Sequence, residues 1–327
     1  MWSPRGTYKG LDTAPVVRTC WSGDFFTKFE VLEIIARPRR TWIRLPELRA
    51  RRLEGRPQPV LQAHRDRTGL KGARMFMRDE DYSSRELFTP EDFLRHYAEG
   101  RGCRIDDLRV DEVMIGSFSR VAIEELQRAC EAQPTPHSNF HRGSYRGRPV
   151  SLVRFPPGAP TAAVTLEEAI ACGGRSFFIV GMAGTLQDLP IGSFVIPTGA
   201  IREEGASYHY LPPDEAVRPS GRLIRALEEA CAAWGIEPAQ GMNWSTDAPY
   251  RELVSKVERY RRDGVLTVEM EAAALFAVAK VRRVEVALLL VVSDRLGKRW
   301  EPAFFSEEVE ESLKRAARVV LEAVHGL

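Results

Sequence analysis

The sequence predicts an α/β domain with a largely parallel sheet in residues 111–327. Short runs of β-branched and other apolar residues alternate there with segments of helical periodicity, a pattern typical of repeated βα units. One run, Val286–Val292, is apolar on both faces, as expected for a strand buried between two layers of helices. The 327 residues are 44% hydrophobic and 28% charged, so the chain can bury a core of this kind.

Six strands and seven helices are predicted. The strands are Val113–Ile115, Val150–Val153, Phe177–Val180, Phe194–Ile196, Leu266–Val268 and Val286–Val292. Six of the helices cover residues 120–131, 161–172, 220–234, 251–263, 271–281 and 306–324. The seventh helix begins at Pro90, because Thr89 is a good N-cap and proline is favoured at the first helical position.

Residues 1–110 are predicted to form an irregular, basic N-terminal extension to the α/β domain of residues 111–327. They carry 22 Lys and Arg against 16 Asp and Glu, whereas residues 111–327 carry 25 against 29. The arginine-rich run Arg37–Arg56 is interpreted as a solvated or partner-covering basic face. A protein-binding or RNA-binding role for this run stays open as an alternative.

Composition excludes several other classes of protein. A net charge of +2 argues against a dedicated nucleic-acid binder. The five cysteines form no Cys-x-x-Cys pair, so neither a zinc site nor a disulfide framework is indicated, and a reducing cytoplasm fits best. The first residues lack the apolar core of a signal peptide, and no apolar run is long enough to cross a membrane. His137 and His141 are four residues apart, but nearby prolines argue against a helical metal site.

Five apolar runs are each followed directly by small or polar residues. These clusters are Gly116–Arg120, Arg154–Pro160, Gly181–Gly184, Glu269–Glu271 and Ser293–Asp294. If the strands are parallel, all five clusters emerge at the carboxyl edge of the sheet, where open α/β sheets bind their ligands. The sequence therefore predicts an active site at this edge.

The acidic residues among them have two interpretations each. Glu269 and Glu271 precede an alanine-rich helix, so they either cap that helix or accept hydrogen bonds from sugar hydroxyls. Asp294 closes the most hydrophobic strand, where partial desolvation would raise its pKa. It is either an ordinary turn residue or an acid that donates to a ring nitrogen of a leaving base.

Three further segments could contribute to a pocket. The glycines of Gly181–Gly184 permit a ligand to approach the backbone, or form a tight turn. Tyr250 could lie against a flat base or pack in the interior. Tyr208 and His209 lie in a predicted surface loop that could fold over the pocket as a lid, or serve a structural role.

Together these clusters resemble the nucleoside phosphorylase family, which includes purine nucleoside phosphorylase, uridine phosphorylase and related nucleosidases. The resemblance runs from Asp111 to the C-terminus, and its most specific motifs are Val268–Ala279 and Val291–Asp294. It implies a three-layer α/β/α fold around a mixed, partly closed central sheet. It also implies a homodimer or an assembly of dimers, in which a neighbouring subunit contributes to each site.

The resemblance assigns a role to each candidate site residue. Asp294 is implied as the catalytic residue that protonates or hydrogen-bonds a purine base. The other implied positions are Glu269, Met270 and Glu271 for the ribose, Tyr250, Ser293 and Gly184 for the base, and Gly116, Arg120 and Arg154 for phosphate, with Tyr208 and His209 as the lid. No metal and no cofactor are implied, and inorganic phosphate is the co-substrate.

Two departures from the family pattern concern phosphate. The family turn Gly-Asp-Pro-x-Arg reads Gly116-Ser-Phe-Ser-Arg120 here, and Ile179 replaces an expected phosphate-binding arginine. The leading hypothesis is a nucleoside phosphorylase that cleaves the N-glycosidic bond of a purine nucleoside with phosphate, to give free base and ribose 1-phosphate. Hydrolysis of the same bond by a nucleosidase, and a catalytically weakened nucleoside-binding protein, stay open as alternatives.

Overall fold

A computed structural model describes residues 77–327, so the run Arg37–Arg56 and the rest of the chain before residue 77 lie outside the described residues. The helices in the described part are α1 Pro90–Arg101, α2 Arg120–Ala129, α3 Ala159–Ala171, α4 Gly221–Ala233, α5 Val254–Arg262, α6 Ala272–Arg282 and α7 Glu307–Gly326. The strands are β1 Val113–Ser117, β2 Gln133–Pro134, β3 Phe140–Tyr145, β4 Arg148–Arg154, β5 Ser176–Thr185, β6 Phe194–Glu203, β7 Ala239–Thr246, β8 Thr267–Glu269, β9 Glu285–Leu296 and β10 Trp300–Pro302.

All ten of these strands belong to one mixed sheet, in the order β10-β9-β6-β7-β8-β5-β1-β4-β3-β2. Strand β5 also pairs with β9, so β5, β9, β6, β7 and β8 close into a ring. The remaining strands extend this ring as an open sheet. The partly closed sheet implied by the family resemblance is therefore confirmed.

Two layers of helices cover the sheet. Helices α1, α3 and α6 bury their apolar residues in one core, and α2, α4 and α7 bury theirs in a second core on the opposite face. Strands β5 and β9 contribute alternate residues to both cores, because successive side chains of a strand point to opposite faces. The two cores establish the three-layer α/β/α architecture.

Helix α1 begins where the sequence predicts. The Thr89 hydroxyl accepts the backbone N–H of Asp92, and the Asp92 carboxylate accepts that of Thr89, which forms a capping box. Leu94 and Ala98 of this helix are buried in the same core as α3. This part of the predicted N-terminal extension therefore packs into the folded domain.

The six predicted strands and seven predicted helices are confirmed, but the expectation that all active-site strands run parallel is wrong. Strands β1, β4, β5 and β9 are parallel, whereas β8 is antiparallel to β5. The acidic cluster after β8 nevertheless reaches the same place, because Val268 pairs with Gly184 near the end of β5. Ring closure, and not a common strand direction, brings this cluster to the others.

No helix among residues 77–327 is both long and apolar enough to span a membrane.

Candidate active site

Asp294 lies beside the glycine-containing end of β5. The pairing of β5 with β9 shifts register between Ala183 and Gly184, so that Gly184 is opposite Asp294. A Cβ atom at position 184 would lie 2.4 Å from the Leu296 side chain and 3.0 Å from Asp294 Oδ2. A side chain at position 184 would force Leu296 and the Asp294 carboxyl to shift, so glycine lets the carboxyl approach the neighbouring backbone closely.

Both oxygens of the buried Asp294 carboxyl accept hydrogen bonds. Ser293 Oγ donates to Oδ1 at 2.9 Å, and the indole Nε1 of Trp300 donates to Oδ2 at 2.8 Å. Burial raises the pKa of Asp294 and outweighs these two donors, which lower it. The half-buried Glu252 adds a second acid, and burial together with the charge of Asp294 raises its pKa to about 7. Two such acids favour retention of a proton near neutral pH.

Glu269 is held by four protein donors. Its Oε1 accepts from Asn243 Nδ2 and Ser245 Oγ at 2.6 Å, and its Oε2 accepts from the backbone N–H groups of Glu271 and Ala272 at 2.7 Å. These bonds fix the first turn of α6 against β7. The structure thus uses Glu269 to orient the segment that carries Met270 and Glu271.

Glu271 connects α6 to the loop after β4. Its Oε1 accepts the backbone N–H of Gly158 at 2.5 Å, and its side chain is buried. Burial and the neighbouring charge of Glu269 raise the pKa of Glu271 to about 8. The acidic cluster and the loop after β4 therefore lie together, while the partly buried Met270 stands between the two glutamates.

The turn Gly116–Arg120 differs from an open anion site. The Phe155 ring packs on Gly116, where a Cβ atom would lie 2.3 Å from Phe155 Cε2. Arg120 has 73% of its side chain exposed and pairs with Glu124 at 3.0 Å along α2. Ile179 is fully buried. Arg154, at the end of β4, is exposed.

The predicted lid is anchored in this structure. Tyr208 Oη donates to the carbonyl of Arg202, and the Tyr208 carbonyl accepts from Tyr82 Oη. His209 is exposed in the same short 3₁₀ helix, Ala206–His209. Tyr250, predicted at the base, is fully exposed in the segment Pro249–Arg251. The structure thus does not bring Tyr250 into the buried part of the site.

Three contributors escaped the sequence analysis: Glu252, Trp300 and Asn243. None of them belongs to a local motif, because each reaches its partner only through the tertiary fold. Asn243 is informative, since a buried amide in a strand needs a partner, and its Nδ2 finds one in Glu269.

Within residues 77–327 no group of three or more His, Cys, Asp or Glu side chains is arranged to hold a metal ion.

We expect the stability of the protein to fall as pH rises between about 4.5 and 8. The folded state retains the Glu271 proton up to about pH 8, whereas an unfolded glutamate loses it near its ordinary pKa of about 4.5, so alkaline pH favours unfolding. Glu271→Gln should reduce the decline in Tm between pH 5 and pH 9 by at least about 3 °C. Thermal denaturation of the variant and of the unmodified protein between pH 5 and pH 9 measures this decline in Tm. Glu258→Gln on exposed α5 is the control, and an equally steep decline in both variants would contradict the assignment.

Several known proteins are similar to this chain in sequence and in fold. The family model of the Phosphorylase superfamily matches residues 115–325. Uridine phosphorylase of Treponema pallidum is 32% identical over 197 residues, which cover 56% of this chain and 75% of that protein. Guanosine phosphorylase of Halorubrum lacusprofundi is 30% identical over 190 residues, with 56% and 79% covered. The crystal structure of uridine phosphorylase from Vibrio fischeri superposes with a TM-score of 0.61 at 21% identity, over 68% of this chain and 95% of that chain.

Proposed function

The chain belongs to the Phosphorylase superfamily, and we propose that it is a nucleoside phosphorylase that cleaves purine nucleosides with phosphate. The observation that carries the choice of purine is the Asp294 carboxyl, which is buried, retains its proton more readily than an ordinary aspartate and stands at the end of β9. A protonated carboxyl can donate to the N7 atom of a purine. Similarity to a guanosine phosphorylase supports this assignment, and similarity to uridine phosphorylases makes base preference the property to test.

In the proposed reaction, a phosphate oxygen forms a bond to the C1′ carbon of ribose while the bond from C1′ to N9 breaks. The electron pair of that bond passes into the purine, and Asp294 transfers its proton to N7. Met270 and Glu271 hold the ribose. Below its pKa of about 8 Glu271 does so as a neutral carboxyl, and its ionised form interacts more strongly as positive charge develops on the sugar. Glu269 acts through its hydrogen bonds to the backbone of this segment. The products are free base and ribose 1-phosphate.

Hydrolysis is the second candidate, and the turn Gly116–Arg120 favours it. Arg120 is paired with Glu124 on the helix surface, and Ile179 occupies a buried strand position without charge. A phosphate dianion needs several donors or charges to replace its hydration. For phosphorolysis, Gly116, Arg154 and a reoriented Arg120 would bind phosphate. For hydrolysis, water would attack C1′ and no such group is required.

Measurement of base release from inosine, guanosine, adenosine and uridine, with and without phosphate, tests the proposal. Phosphorolysis predicts that purine nucleosides release base at least about 10-fold faster with phosphate and yield ribose 1-phosphate. Equal release without phosphate, with free ribose as product, would establish hydrolysis instead. Tight binding of a nucleoside without turnover under either condition would identify a nucleoside-binding protein, and faster cleavage of uridine would overturn the purine assignment.

We also propose that the protein acts in the cytoplasm as a homodimer or an assembly of dimers. Tyr250, Val254 and Phe305 are apolar or aromatic side chains exposed by 101%, 73% and 102%. Side chains of this type at the surface are typical of contacts between subunits. Light scattering of the purified chain measures the assembly, and a monomeric mass at micromolar concentration would contradict it.

A further inference from the structure

Trp300 contacts the carboxyl of Asp294, the proposed acid. It lies on β10, which pairs antiparallel with the end of β9, and the register places Pro302 opposite Asp294. The Trp300 side chain folds back so that its Nε1 donates to Asp294 Oδ2 at 2.8 Å. The residue is nevertheless 62% exposed. Burial of the ring in a core therefore does not explain its position.

We propose that Trp300 is a positioning residue that stabilises the Asp294 carboxylate formed when the aspartate transfers its proton to the leaving base. This inference rests on the proposed function. Indole Nε1 is a donor only, so it favours the ionised carboxyl over the neutral one. The hydrogen bond strengthens as negative charge develops on Asp294, and an interaction that strengthens in the transition state increases kcat.

Two other polar side chains interact with Asp294, namely Glu252 and Ser293. The charge of Asp294 raises the pKa of Glu252, because two neighbouring negative charges repel each other. Ser293 Oγ donates to Oδ1 and can also rotate to accept, so it does not distinguish the two protonation states as strictly as an indole does. Trp300 is thus the neighbour that stabilises the ionised form of Asp294 most selectively, because its Nε1 can only donate.

Trp300→Phe tests the proposal, because phenylalanine keeps an aromatic ring and removes the donor. We expect kcat for inosine to fall by about 10- to 150-fold, the range for loss of a hydrogen bond to a charged group. With 7-methylguanosine, whose N7 already carries a methyl group and cannot accept a proton, the loss should be below about 3-fold. Equal losses on both substrates would indicate a merely structural role and overturn the inference.

The pH profile gives a second readout. Removal of the donor raises the pKa of Asp294, so the alkaline limb of kcat for inosine should move to higher pH in Trp300→Phe. The same shift should persist in a Glu252→Gln background, which removes the other acid that titrates in this range. Trp234→Phe is the matched control, because it makes the same change at an exposed tryptophan at the end of α4.

A third readout needs no turnover. Titration of the Asp294 carboxyl carbon by ¹³C NMR, assigned with Asp294→Asn, should give a higher pKa in Trp300→Phe than in the unmodified protein. An unchanged pKa would overturn the inference even in an active enzyme. If the protein cleaves none of the tested nucleosides, the proposed function fails, while the titration still decides whether Trp300 stabilises the carboxylate.

Discussion

Asp294→Ala is expected to lower kcat for purine nucleosides by about 10²- to 10⁴-fold, the usual contribution of a positioned general acid. Without it the purine must leave as an anion, because the other acid near this position, Glu252, would have to move to replace the buried carboxyl. KM should change by less than about 5-fold, since the proton transfer stabilises the transition state rather than the bound nucleoside. Steady-state kinetics with inosine measure both parameters.

Two further variants, Asp294→Asn and Asp188→Ala, test whether the loss of kcat comes from the missing proton donor. Asp294→Asn keeps an amide donor near N7 but has no proton to transfer, so it should bind as well as the unmodified protein and react slowly. Asp188→Ala changes an exposed aspartate in the loop after β5 and serves as the control. If Asp294→Ala and Asp188→Ala retain similar kcat values, Asp294 is not the acid at the base.

Strong apolar runs explain why most of the fold could be predicted. Strands β1, β4, β5, β6 and β9 contain continuous buried residues, and α2, α4 and α7 show clear apolar faces. The sequence does not predict strand β7, because Gln240, Asn243 and Ser245 interrupt its apolar pattern. Two of these polar residues are buried for a tertiary reason, since they donate to Glu269. Local sequence does not contain that reason.

Some residues of the site could be predicted from apolar periodicity, whereas others are placed only by the tertiary fold. Asp294 and Glu271 lie at strand exits, which periodicity locates, and the structure places both at the closed part of the sheet. Trp300 and Glu252 approach Asp294 through a hairpin and a loop. The direction of Arg120 depends on its position in the first turn of α2, where pairing with Glu124 four residues later draws it along the helix surface. A motif fixes the residue type at such a position but leaves its orientation open.

Glu269→Ala is expected to have the largest effect on stability, with a loss of about 3 to 5 kcal/mol in the free energy of unfolding. The substitution leaves Asn243 Nδ2, Ser245 Oγ and two backbone N–H groups without their acceptor. Each buried donor left unpaired costs about 1 to 3 kcal/mol, although relaxation and water entry recover part of this. The corresponding decrease in Tm is roughly 8 to 15 °C for a domain of this size.

Glu269→Gln distinguishes the contribution of the acceptor oxygens to stability from that of the side-chain volume. Glutamine retains one acceptor oxygen, but its NH₂ group would face donors, so we expect a smaller loss than for alanine. Ser245→Ala removes one donor to the carboxylate and also the acceptor of the Ala273 backbone N–H, and should cost about 1 to 3 kcal/mol. Chemical denaturation of the three variants, with exposed Glu258→Ala as control, measures the order. If Glu269→Ala unfolds at the same denaturant concentration as Glu258→Ala, Glu269 does not hold the first turn of α6, and its carboxylate would then be free to bind the sugar directly.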